Sequence, residues 1–196
     1  MKNFIIGVSG KIGSGKTIFC KMLRREGVDY IEADKIVHFL YRRGNKGAKL
    51  VKRMFGGVFL TFIGDVNRVK LRDYFLEEHN RFKLFLKRFY PIVISEIKRR
   101  ITASKSSFIA LEFIDFDIKE FRKLIDFLVY IDCPEKLILR RYISRRFPSE
   151  YIKKVLSLQK KPLNIDFLLK NDSTKNNLRR RAEAFIKKLK YDIFQT

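Results

Sequence analysis

The chain predicts an α/β fold, a parallel sheet flanked by helices, on three observations. A glycine-rich run, Gly10-Lys11-Ile12-Gly13-Ser14-Gly15-Lys16-Thr17, sits between an apolar strand pattern and a helical one. Short apolar runs then alternate with helical stretches, the order that builds parallel sheets with right-handed helical crossovers. A length of 196 residues allows one substantial core with an appended smaller subdomain, and is too short for two ordinary independent domains.

The first strand is Phe4-Ile5-Ile6-Gly7-Val8, and the helix after the glycine-rich run starts at Lys16 and carries Phe19, Cys20, Met22 and Leu23 at helical spacing. Between them lies the spacing of a phosphate-cradling loop, G-x-x-x-x-G-K-T. Gly10, Gly13 and Gly15 let the backbone turn so that successive N–H groups converge on one anion, which the positive end of the helix dipole also favours. Lys16 is expected to reach the β- and γ-phosphates and Thr17 to offer its hydroxyl to Mg²⁺. The N–H groups of Gly13, Gly15 and Ile18 would face the phosphate oxygens. A plain tight connection is the bland alternative, whereas a dinucleotide fingerprint cannot be placed here.

A second apolar run, Val28-Asp29-Tyr30-Ile31, leads into Glu32-Ala33-Asp34, which puts carboxylates at the carboxyl end of a strand, where ligands of open α/β sheets bind. Asp34 is the candidate catalytic base that accepts the proton of an attacking hydroxyl; its alternative role is the N-cap of a helix starting near Lys35. From Lys35 to about Lys105 the pattern is helical and amphipathic, too periodic for a loop. Within it, Arg81 to Ile101 reads as a long helix carrying Leu84, Phe85, Phe89, Ile92, Val93 and Ile97, which Pro91 would kink or split. Its aromatic stripe reads as core.

Strand signals return at Ser107 to Phe113 and Asp126 to Asp132, and a last apolar run, Phe167-Leu168-Leu169, precedes Asn171-Asp172-Ser173-Thr174 and a terminal helix. Between the last two strands, Pro134 to Arg145 and Pro148 to Lys160 read as a basic helical pair, a closing lid over the phosphate loop.

Lys and Arg number 44 against 21 Asp and Glu, a net charge of +23. Such a field attracts nucleic acid, anionic membrane or small polyanions without choosing among them. Most of the surplus reads as solvated surface, and only the cluster Arg140, Arg141, Arg145 and Arg146 earns a specific role. No aromatic–basic recognition motif accompanies the charge, so no nucleic-acid partner is expected. Cys20 and Cys133 lack metal-ligand spacing and read as reduced, buried thiols. With no signal-peptide pattern and no apolar stretch of spanning length, the expectation is a cytoplasmic protein without membrane association.

Taken in order, GVSGKIGSGKT, YIEADKI, Gly44, Phe55-Gly56, Gly64-Asp65-Val66-Asn67-Arg68-Val69-Lys70-Leu71, Asp126 to Asp132, Arg140, Gln159 and Asp166 to Asn171 resemble the dephospho-CoA kinase family over nearly the whole chain. The resemblance implies a P-loop NTPase-type fold. A five-stranded parallel nucleotide-binding core (about 1–34, 106–134 and 165–196) would carry a helical CoA-binding insertion (about 35–105) and a helical lid (about 135–164). It implies transfer of the ATP γ-phosphoryl group to the ribose 3′-hydroxyl of dephospho-CoA, with Mg²⁺ accompanying ATP. On this resemblance Gly13 to Ile18 bind the ATP phosphates, Asp34 is the base, Arg140 faces the nucleotide and Asn171 lies in the adenine-side loop. Departures from the family pattern are Glu32 for Asp, Tyr90-Pro91 for His-Pro, Leu111-Glu112-Phe113-Ile114-Asp115 for Pro-Leu-Leu-Phe-Glu, and Ser144 for a lid arginine. Arg145 and Arg146 stand beside Ser144 as substitutes. A nucleoside or nucleotide kinase of the same loop type, and a basic phosphate-loop protein that binds nucleic acid, are the rival readings.

Overall fold

A computed structural model of the chain describes residues 3–113, 119–144 and 148–194. Asp115, Arg145 and Arg146 lie outside the described residues. The chain separates into two compact units, one of Met1–Ile31 with Ser104–Thr196 and the other Glu32–Ala103.

The first unit is built on the sheet. Strand β1 (Phe4–Ser9) runs into the glycine-rich loop, and helix α1 (Lys16–Arg25) leaves it. Strand β2 (Asp29–Glu32) follows, the chain enters the second unit, and it returns through β3 (Phe108–Glu112). A short helix, α6 (Lys119–Arg122), precedes β4 (Phe127–Asp132); then come α7 (Glu135–Ile143), α8 (Ser149–Leu158), β5 (Phe167–Lys170) and α9 (Lys175–Phe194). The five strands lie in the order β2-β3-β1-β4-β5. β1 pairs in parallel with β3 and with β4, and β4 with β5, with Ile6 opposite Ala110 on one side of β1 and opposite Phe127 on the other. β1 is thus the central strand, at the point where the strand order reverses, which opens a crevice at its carboxyl end.

β1, β3 and β4 are buried along most of their length, so they read as continuous apolar runs rather than alternating ones. One core packs Ile6, Val8, Val129 and Ile131 of the sheet against Phe19 and Leu23 of α1, with Leu178 and Ile186 of α9 in the same cluster. Cys20 is fully buried in it, and neither Cys20 nor Cys133 is in a disulfide. A smaller cluster joins Cys133 and Ile138 to Ile152 and Leu156 of α8, with Ile12 and Tyr142 packed at its margin.

The second unit is helical: α2 (Ala33–Leu40), α3 (Lys46–Phe55), a 3₁₀ turn over Gly57–Phe59, α4 (Arg68–Glu77) and α5 (His79–Ala103). α5 runs on through Pro91 as one element of 25 residues, so the proline does not split it. Pro91 and Lys87, whose carbonyl would have met the missing N–H, are both exposed, so water can satisfy that carbonyl. The buried stripe of α5 is Phe85, Phe89, Val93 and Ile97, spaced by four; Leu84 lies off it and is exposed. Phe85 stacks on Phe89 at 5.0 Å and approaches Phe55 and Phe75, an aromatic core that uses these rings for packing. Phe82 is partly exposed and rests on Phe75 at 4.9 Å.

Candidate active site

The loop between β1 and α1 takes its shape from glycines at positive φ. Gly13 (φ +73°) and Gly15 (φ +103°) occupy conformations that side chains rarely adopt, and both lack room for one. A Cβ on Gly13 would meet the Tyr142 ring at 2.6 Å, and one on Gly15 would meet the Asn171 amide nitrogen at 2.5 Å. Glycine is therefore required twice over, by backbone and by packing. The first intrahelical bond of α1 runs from Phe19 N–H to the Gly15 carbonyl at 2.9 Å. The N–H groups ahead of it form an electropositive helix start, with no side-chain cap and no acidic residue in the first turn.

Lys16 is buried although charged, and its Nζ donates to the Gly10 carbonyl at 2.9 Å and the Lys11 carbonyl at 3.2 Å. The ammonium thus lies across the loop's own carbonyls, on the concave side where a phosphate would sit. Asn171, at the end of β5, donates from Nδ2 to the Ser14 carbonyl at 2.6 Å, while its backbone N–H reaches Asp132 at 2.6 Å. Expected in an adenine-side loop, it lines the cavity and also clamps the phosphate loop to the end of β5.

Thr17 Oγ1 donates to Glu112 Oε1 at 2.9 Å, and the Tyr30 hydroxyl donates to Glu112 Oε2. Glu112 ends β3, next to β1, and is the one buried acid among the described residues. Sequence reasoning noted it only as a departure from a family pattern. The available signal was an acidic side chain closing a buried apolar strand, since a charge is buried there only with partners.

Above the loop, α7 and α8 hold its middle residues by unlike contacts. Ile12 N–H donates to Gln159 Oε1 at 2.8 Å, Lys11 pairs with Glu135, and Arg141 Nη1 donates to the Gly13 carbonyl at 3.0 Å and to Cys133 Sγ at 3.4 Å. Burial raises the Cys133 thiol pKa, with the Arg141 charge acting in the opposite direction. Arg140, expected to face the nucleotide, is set apart from Arg141 by its place on α7. Ile138, Arg141 and Tyr142 stand at i, i+3 and i+4 and share the face of α7 turned to the loop; Arg140, one residue round the helix, is exposed and does not line the cavity. Ser144 closes α7, its Oγ donating to the Arg141 carbonyl at 2.9 Å.

These residues line a cavity of about 520 Å³, with Gly13, Lys16, Thr17, Arg141, Asn171 and Lys175 among its walls and no acidic side chain among the described residues that line it. Such a cavity suits a polyanion with an organic end. Ile18 reaches it from the first turn of α1. Ser14 contributes a buried hydroxyl and the carbonyl that Asn171 holds. Gly10 contributes the carbonyl under Lys16.

Asp34 belongs to the second unit. It is exposed in the first turn of α2, which starts at Ala33 with Glu32 at the cap position. The cap alternative for Asp34 is thereby removed, because the helix starts one residue before it. Glu32 pairs with Lys35 at 2.8 Å. Tyr90 is half-buried on α5. Among the described residues no cluster of His, Cys, Asp or Glu is arranged to hold a metal ion, and no helix is long and apolar enough to cross a membrane.

The family model described as dephospho-CoA kinase matches residues 4–177. The chain is 29% identical over 190 residues to the dephospho-CoA kinase of Nitrosomonas europaea, with 94% of each chain covered. It is 30% identical over 141 residues to that of Methylococcus capsulatus, covering 72% of this chain and 71% of the relative. Among solved structures, TT1252 from Thermus thermophilus superposes with a TM-score of 0.81 at 22% identity, covering 96% of this chain and 99% of that one. The dephospho-CoA kinase from Campylobacter jejuni gives 0.63 at 20%, covering 96% and 98%. At those identities the two structures speak for the fold, a P-loop NTPase type.

Proposed function

The chain belongs to the dephospho-CoA kinase family, and we propose that it transfers the γ-phosphoryl group of ATP to the ribose 3′-hydroxyl of dephospho-CoA, giving CoA and ADP in the last step of coenzyme A synthesis. The observation that carries this reading is the loop itself: a glycine-shaped anion cradle with Lys16, Thr17 and Arg141 around one cavity. In the reaction the acceptor oxygen forms a bond to the γ-phosphorus as the bond to the β–γ bridging oxygen breaks. Lys16 and the N–H groups at the start of α1 stabilise charge on the phosphates, and Arg141 holds the loop and adds a fixed positive fork. Asp34 takes the hydroxyl proton, a role suited to an exposed carboxylate in the first turn of the helix that follows β2.

Thr17 and Glu112 fit Mg²⁺: they are hard oxygen donors, and the Thr17 proton is committed to Glu112, which leaves the hydroxyl lone pairs for a cation. When bound with ATP, the ion would neutralise phosphate charge. In this reading residues of about 35–105, nearly all of them in the helical unit Glu32–Ala103, are the CoA-binding insertion, residues of about 135–164 form the lid, and the protein works in the cytoplasm.

A coupled assay of ADP release tests the assignment, run with ATP and Mg²⁺ against dephospho-CoA, adenosine, nucleoside monophosphates and pantetheine, with product masses determined. Saturable turnover is expected with dephospho-CoA and a product heavier by one phosphoryl group. Turnover with a nucleoside or nucleotide and none with dephospho-CoA would replace the acceptor. Binding to nucleic acid that weakens steeply with salt, without turnover, would replace the class.

A further inference from the structure

Glu112 holds the Thr17 hydroxyl from the end of a flexible side chain. Its side chain has one more rotatable bond than aspartate, and the terminal torsion of a carboxylate is broad. A single donor on Oε1 would leave Oε2 free to swing and would let the Thr17 hydroxyl turn with it. The structure closes that freedom from a second element: Thr17 on α1 holds Oε1, and the Tyr30 hydroxyl on β2 holds Oε2. The ring of Tyr30 is partly buried against the main core cluster, so the phenol oxygen is delivered from a packed base. Thr17 and Glu112 are 95 residues apart and Tyr30 and Glu112 are 82 apart, so the arrangement depends on strand order rather than on any local motif.

We propose that Tyr30 is a positioning residue of this site, whose phenol fixes the carboxylate plane of Glu112 and thereby the direction in which the Thr17 lone pairs face Mg²⁺. This rests on the reading that Thr17 and Glu112 serve the metal. Tyr30 touches neither nucleotide nor acceptor in this scheme; it acts through Glu112. A hydroxyl that holds a buried carboxylate in one plane is an outer-sphere partner, and losing such partners lowers metal affinity while leaving the donors in place.

The experiment compares Tyr30→Phe, which keeps the packed ring, with Glu112→Gln and the unaltered chain. Calorimetry measures ADP binding with and without Mg²⁺, and steady-state assays measure the Mg²⁺ concentration for half-maximal turnover. Tyr30→Phe should bind metal-free ADP as the unaltered chain does. It should need on the order of tenfold more Mg²⁺ for the same gain in ADP affinity, with kcat at saturating Mg²⁺ nearly unchanged. Glu112→Gln should show a larger loss in the same direction. Unaltered Mg²⁺ dependence in Tyr30→Phe beside a clear loss in Glu112→Gln would overturn the role of Tyr30 alone. Unaltered dependence in both would overturn the metal reading of Glu112 and the Tyr30 role with it. An equal loss of ADP affinity with and without Mg²⁺, accompanied by a lower melting temperature, would make Tyr30 a packing residue and overturn the proposal.

Discussion

Asp34 and the two adjacent arginines of α7 show how a side chain's job follows from its place on an element. Because α2 starts at Ala33, Asp34 sits inside the first turn and leaves the cap position to Glu32. Asp34→Asn should therefore keep the helix and ATP binding while slowing transfer by about 10² to 10⁴-fold, the usual size of general-base catalysis. Single-turnover transfer and a melting curve read the two effects apart, and near-normal transfer at an unchanged melting temperature would remove the base. Arg141 donates to the Gly13 carbonyl whereas Arg140 is exposed. Arg141→Ala is expected to raise KM for ATP on the order of tenfold, as loss of a charged hydrogen bond does, and Arg140→Ala to change it by less than about twofold. Steady-state kinetics at varied ATP decide between them; equal losses would bring Arg140 back into the site.

Helix α5 carries its own acid-sensitive fastening. Glu96 accepts from both Arg99 and Arg100, and these partners, Arg99 first, hold its carboxyl down to about 2 from an ordinary 4.5. A folded-state value below the unfolded one means that the ionised form supports the fold. That support is present above about pH 4.5 and disappears as pH falls through about 2. The effect is small because Arg99 is largely exposed. Glu96→Gln should lower the melting temperature slightly at neutral pH, with the gap to the unaltered chain closing between pH 4.5 and 2. Thermal melts followed by circular dichroism across that range check it; a gap independent of pH would assign the loss to packing instead. The same logic of faces organises α7, where Ile138, Arg141 and Tyr142 take the inner side and leave Arg140 outside.

A net charge of +23 on 196 residues sets the ionic behaviour of the chain as a unit. Like charges repel in the compact state, and raising ionic strength from about 0.01 to 0.15 M shortens the screening length from about 30 to 8 Å. The melting temperature is expected to rise by a few degrees over that change in sodium chloride, measured by differential scanning fluorimetry without nucleotide. A flat or falling trend would show that local ion pairs already offset the surplus. Lys16, Arg141 and Lys175 line the cavity beside the loop, so polyanions such as citrate should stabilise the chain more than chloride at equal ionic strength.

The run Gly10 to Thr17 was legible in the linear chain because a phosphate loop is local: its glycines, lysine and threonine act within eight consecutive positions, and the strand and helix beside it follow from period and burial. The other strands and the long helical insertion were legible for the same reason, each being a run of continuous or periodic apolar residues. What the linear chain withheld depends on distance along it. Glu112 meets Thr17 and Tyr30, and Asn171 meets Ser14 across 157 residues, because the order β2-β3-β1-β4-β5 sets β3 beside β1 and brings the end of β5 close to the loop. Arg140 and Arg141 are indistinguishable as neighbours in a basic cluster, and packing of Ile138 and Tyr142 fixed which one turns inward. Local chemistry is written in spacing, whereas the partner of a buried charge is set by which strands lie side by side and which helix face is apolar.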